Sequence, residues 1–103
     1  MGTRALGQTV TMTPHPDLLR VLGEVRVLLA QPDNDFAWSS WKNADAALAE
    51  IDAAIARIDA GSRIPPGLVT LFAPTGRLQE VASSSGWDDA FLALADRFDA
   101  ALE

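Results

Sequence analysis

Apolar residues recur at helical spacing in three long stretches of the chain. Between Asn43 and Gly61, the positions Ala44, Leu48, Ile51, Ile55 and Ile58 lie three and four apart, with Ala47 and Ala54 beside them. At about 100° per residue these fall within roughly one third of a helix circumference, which predicts a core-facing stripe. Asn43 suits the N-cap, and Gly61 suits a left-handed exit from the helix. A second helix is predicted from about Pro16 to Ala30, ending before Pro32, with the stripe Leu18, Val21, Leu22, Val25, Leu28 and Leu29. Leu19 and Val27 lie off that stripe, with Gly23 and Ala30 between them, and the bare backbone at Gly23 invites close approach of a neighbour. A third helix runs to Leu102 on Trp87, Phe91, Leu94, Phe98 and Ala101, widened by Ala90, Ala95 and Leu102, with Leu92 alone on its acidic arc. The spacing Ser85-Gly86-Trp87-Asp88 matches a capping box at its start.

Residues 62–86 leave two readings open. Pro65-Pro66 opens Leu68-Val69-Thr70-Leu71-Phe72, too short a run for periodicity to decide. Ala73-Pro74-Thr75-Gly76 is either a turn between two strands, or Thr75 caps a short helix over Arg77–Ser84 with Leu78 and Val81 inward. Two short helices are favoured, because a lone hairpin without a third strand is marginal. The expected fold is therefore all-α, a small bundle of four to five helices around a central helix 43–60. The alternative is α+β with a small hairpin at 68–82. Residues 1–13 read as a loose or edge-pairing arm, and 14–103 as one helical domain.

Composition narrows the chemistry. The net charge is −6, divided as +1 over residues 1–30 and −7 over the remainder. That balance argues against a nucleic-acid backbone as partner, which needs clustered Lys and Arg. There is no cysteine and one histidine, His15 between two prolines, so thiolate sites, transition-metal sites and a Ser-His-Asp nucleophile have no basis. Asp33 and Asp35 begin a calcium-loop spacing, but Ala37, Trp38 and Ala44 stand where its later ligands and glycine belong. No metal, no cofactor and no enzyme activity are expected. No apolar run is long enough to span a bilayer, so no membrane partner is expected and cytoplasmic residence is the default.

The aromatic positions remain to be explained. Trp38, Trp41, Phe72 and Trp87 fall in connectors or first turns, where burial explains them most simply. An exposed tryptophan edge would instead give a recognition surface made of Trp38, Ser39, Trp41, Thr75, Gln79 and Trp87. The second strip of the first helix, Leu19, Gly23, Val27 and Ala30, is the candidate dimer interface, since an isologous contact covers the same strip on both subunits.

Taken together, Phe36-Ala37-Trp38-Ser39-Ser40-Trp41, Ala47-Leu48-Ala49-Glu50-Ile51-Asp52, the run from Phe72 through Pro74-Thr75-Gly76 to Leu78-Gln79-Glu80, and Ser85-Gly86-Trp87 with Phe91 carry a likeness. Over roughly residues 17–102 the chain resembles a family of small bacterial proteins, a domain of unknown function. The resemblance implies a compact bacterial domain and transfers no catalytic residue. The expected function is a non-catalytic protein-interaction module, with a protein partner or a second copy as its ligand. An immunity- or inhibitor-like role against a basic toxin is one form of it. The alternative is a small-ligand-binding domain or minor enzyme with its site near Trp38, Trp41 and Trp87.

Overall fold

The structure is a computed structural model that describes residues 15–37, 39–73 and 76–102. Within them the chain forms α1 (Pro16–Leu29), α2 (Ala44–Asp59), α3 (Pro66–Leu71), α4 (Arg77–Ser85) and α5 (Asp88–Leu102), with no strand. The all-α bundle expected from the periodicity is present, and short helices occupy the region where a hairpin was the alternative. The proposed arm, residues 1–13, lies outside the described residues.

Local chemistry sets the helix ends. Pro16 opens α1, where its missing N–H has no intrahelical partner to lose. His15 precedes it in the left-handed region at φ 51°, exposed, its carbonyl accepting from the Leu19 N–H. At the start of α2, Asn43 Oδ1 accepts from the Ala46 N–H at 2.9 Å. That helix closes with two reversed bonds, Ser62 N–H to the Arg57 carbonyl and Gly61 N–H to the Ile58 carbonyl, around Gly61 at φ 83°. This is the glycine exit read from the sequence.

Two expected caps are replaced. Gly76, not Thr75, stands at the N-cap of α4, and Thr75 lies outside the described residues. A Cβ at Gly76 would sit 2.4 Å from the Thr70 carbonyl oxygen and 2.7 Å from that of Leu71, so the turn from α3 into α4 closes only over a bare Cα. The Ser85-to-Asp88 capping box does not form. Ser85 is the last residue of α4, and Gly86 at φ 86° ends that helix, with the Gly86 and Trp87 N–H groups both donating to the Ala82 carbonyl. The same four residues can start a helix or stop one, and the glycine makes them a stop.

The middle of the bundle falls to α1. It lies against both α2 and α5, whereas helix 43–60 was expected to hold that place. The reason is the breadth of the α1 stripe: Leu18, Val21, Leu22, Val25 and Leu29 are all buried over about 100° of the helix, wide enough for two neighbours. By contrast Ala46, Ala49, Ala53, Ala56 and Ala60 leave the back of α2 exposed. Ala47, Ile51, Ala54 and Ile58 of α2, Leu68 and Leu71 of α3, Leu78, Val81 and Ala82 of α4, Phe91, Leu94 and Phe98 of α5, and Trp41, Phe72 and Trp87 between helices complete the core. Gly23 does not mark a close approach, since nothing lies within 4 Å of a Cβ placed there.

Candidate functional site

Of the residues singled out as a recognition surface, the fold buries Trp41 in the connector between α1 and α2 and Trp87 ahead of α5. Trp41 is buried, its indole N–H donating to Glu50 Oε1 at 3.1 Å. Arg77 lies over the Trp41 ring at 4.8 Å and holds the same carboxylate through its two terminal guanidinium nitrogens, Nη1 and Nη2, at 2.8 and 2.6 Å. Glu50 therefore binds the connector to α4 from its place on α2. Trp87 is buried at the other end of the connector, donating to Asn34 Oδ1 at 2.8 Å, while Asn34 Nδ2 donates to the Leu28 carbonyl at 2.6 Å near the end of α1. Ser85 Oγ accepts from the Asp35 N–H, and Ser39 Oγ accepts from the Trp41 N–H.

Of the six predicted recognition residues, Trp41 and Trp87 thus present neither an exposed ring nor a free N–H, because Glu50 and Asn34 take both indoles. Ser39 is half-buried and serves the connector. Gln79 is half-buried, with Oε1 closed off from solvent and unpartnered among the described residues. Trp38 and Thr75 lie outside the described residues. Asp35 Oδ1, one of the acids of the calcium-like spacing, accepts from the Ala37 N–H at 2.9 Å. No group of three or more potential metal ligands clusters among the described residues.

Open apolar surface lies along α1 and α5, and a second pocket opens between α2 and α3, lined by Ala53, Ala54, Pro65, Leu68 and Leu71. Helices α1 and α5 run antiparallel: Asp17 and Val21 share a pocket with Ala100 and Ala101, Glu24 meets Arg97, and Val27 and Leu28 share a groove with Ala90, Ala93 and Leu94. The lining residues sit at the same spacing on both helices: 17, 20, 21, 24, 27, 28 on α1 and 90, 93, 94, 97, 100, 101 on α5. Each set covers one face of its helix. The two pockets along α1 and α5, of about 390 and 230 Å³, are therefore sections of one furrow, crossed midway by the Glu24–Arg97 pair. That pair is bidentate, at 2.8 and 2.7 Å. The Arg97 hydrogen bonds hold the Glu24 carboxyl below the usual carboxylate range and raise Arg97 in turn. On the other flank of α1, Arg26 grips Asp52 of α2 and lowers its carboxyl in the same way.

The predicted dimer strip maps onto this surface only in part. Leu19 is half-buried against the core and Gly23 is half-buried, while Ala30 is exposed. Val27, 66% exposed, is the strip's open large apolar residue and also stands on the rim of the larger groove. The furrow was missed because Ala90 was assigned to the buried stripe of α5, and Ala90, Ala93 and Ala100 are all exposed. An alanine at every third or fourth position is silent in a hydropathy pattern and becomes a groove wall only beside another helix. Comparisons with protein-family models, with curated proteins and with solved structures found no match.

Proposed function

We propose that this chain is a non-catalytic protein-interaction module whose docking face is the furrow between α1 and α5. The carrying observation is Val27, two-thirds exposed on the rim of a groove floored by Leu28, Leu94 and alanines. Leaving such a side chain in water forgoes about 1–2 kcal/mol of burial, which a partner's apolar surface would recover. The ligand or enzyme reading around Trp38, Trp41 and Trp87 is weaker, because Trp41 and Trp87 are engaged within the fold. The acidic balance disfavours nucleic acid. The net charge of −6 supports an immunity- or inhibitor-like variant of the reading, in which a basic partner is drawn toward the chain before it docks. Among the described residues no helix is long and apolar enough to cross a membrane, and residence in the cytoplasm belongs to the proposal.

The test is a photo-crosslinking side chain placed at position 27, with position 92 as control. Leu92 is 55% exposed but lies on the opposite side of α5. Protein adducts at 27 and none at 92 are expected. Adducts at 92 alone, or at neither position, would remove the α1–α5 face as the docking surface.

A further inference from the structure

We infer that the occupant of the furrow is a second copy of this chain, paired about a two-fold axis that runs parallel to α1 and α5. The inference rests on the furrow being the docking face and adds the identity and orientation of what docks.

Two observations lead to it, and a third sets its strength. The first is charge. The chain carries a net −6, so two copies repel over most of their surface. The charged residues of the furrow are Asp17, Arg20, Glu24 and Arg97, two of each sign, so this face is neutral.

The second is register. In the antiparallel α1–α5 pair, Glu24 stands level with Arg97, and Val27 stands level with Ala93 and Leu94. A two-fold axis along the seam exchanges the two helices without changing height. Each α1 then lies on the other copy's α5, Glu24 faces the Arg97 of the other copy, and Val27 points at its Ala90–Ala93–Leu94 wall. The four charges alternate, and each exposed valine meets small residues that admit it. An axis perpendicular to the helices through the same centre would stack Glu24 on Glu24.

The third is area. Furrow and flanking helix surface span about 20 Å by two helix widths, also about 20 Å, hence roughly 400 Å² a side. A standard stable interface buries roughly 800 Å² a side. The pairing is therefore weak and reversible.

Sedimentation equilibrium on the full chain, from roughly 10 μM to 1 mM, should show a mass rising from the 11.0 kDa monomer toward twice that value. Val27→Asp, which sets a carboxylate against the alanine wall, should weaken association at least about tenfold, while Leu92→Asp leaves it unchanged. Orientation is read separately, because the native chain has no cysteine. Under mild oxidation an equimolar mixture of Val27→Cys and Ala93→Cys chains should yield the mixed disulfide well above either homodimer. A wild-type chain still monomeric at the highest concentration overturns the second copy, and so does a dimer that Val27→Asp leaves intact. Homodimeric disulfides in preference to the mixed one overturn the axis. Were position 27 to crosslink only to a different protein while the chain stays monomeric, the second copy would fall and the docking face would stand.

Discussion

The rings of Phe72 and Phe98 stack with centroids 4.0 Å apart and planes 6° from parallel, and Phe91 lies 6.4 Å from Phe72 along the same helix as Phe98. Phe72 ends the short helix α3, so this stack fastens α3 to α5. Phe98→Ala should cost about 3–5 kcal/mol, a large share of the roughly 5–15 kcal/mol that holds a domain of this size folded. Leu92→Ala, on the exposed side of the same helix, should stay within about 0.5 kcal/mol. Chemical-denaturation midpoints decide it, and equal losses for the two would mean that the buried face of α5 is misassigned.

At Gly76 the limiting contacts are backbone oxygens, which cannot rotate out of the way as a side chain can. Gly76→Ala should therefore destabilise by about 1–3 kcal/mol or more. Gly23→Ala, in open space on α1, should be neutral or stabilising by up to about 1 kcal/mol through helix propensity. Thermal melts should fall for Gly76→Ala and hold or rise for Gly23→Ala.

Asn34 satisfies the Trp87 indole with its oxygen and the Leu28 carbonyl with its nitrogen. Asn34→Ala leaves both without that partner and should cost about 1–3 kcal/mol. Asn34→Asp keeps an acceptor for Trp87 but turns a second acceptor toward the Leu28 carbonyl, so it should recover only part of the loss. Equilibrium unfolding followed by tryptophan fluorescence reports both.

The pH dependence follows from Glu24 and Asp52. Both carboxyls sit below their ordinary values when folded, chiefly through hydrogen bonds from Arg97 and Arg26. Their contribution is complete above the unfolded carboxylate pKa and is lost as pH falls through the lower folded value. Stability should thus decline on the acid side, and replacing Arg26 and Arg97 with Ala should shallow that decline. Denaturation midpoints measured below pH 5 show it, and a slope unchanged by the double substitution would count against these pairs.

Periodicity and capping chemistry carried most of the fold. The stripes of α1, α2 and α5, the Asn43 cap and the Gly61 exit are each set by residues within a few positions of one another. What depends on distant partners was not readable. Trp41 and Trp87 could as well have edged a recognition surface, since only folding brings Glu50, Arg77 and Asn34 to them. The furrow is harder still to see in advance, because Glu24 and Arg97 are 73 residues apart and the walls between them are alanine. Ser85–Asp88 was a local ambiguity, settled by the left-handed turn at Gly86.

The ties on the α1–α2 connector also bear on the order of folding. Asn34 and Trp87 are 53 residues apart, and Asp35 and Ser85 are 50 apart. Closing a free loop of that length costs about 3.5 kcal/mol beyond a constant, more than two hydrogen bonds return. Once α1 has docked on α5, only the few residues from Leu28 to Asn34 remain to be ordered, and the same bonds become favourable. The connector is thus expected to lock after the rate-limiting step: Asn34→Ala should speed unfolding while leaving the refolding rate nearly unchanged. Substitutions in the α1–α5 contact should slow refolding. Trp87 would then report the end of folding rather than its beginning.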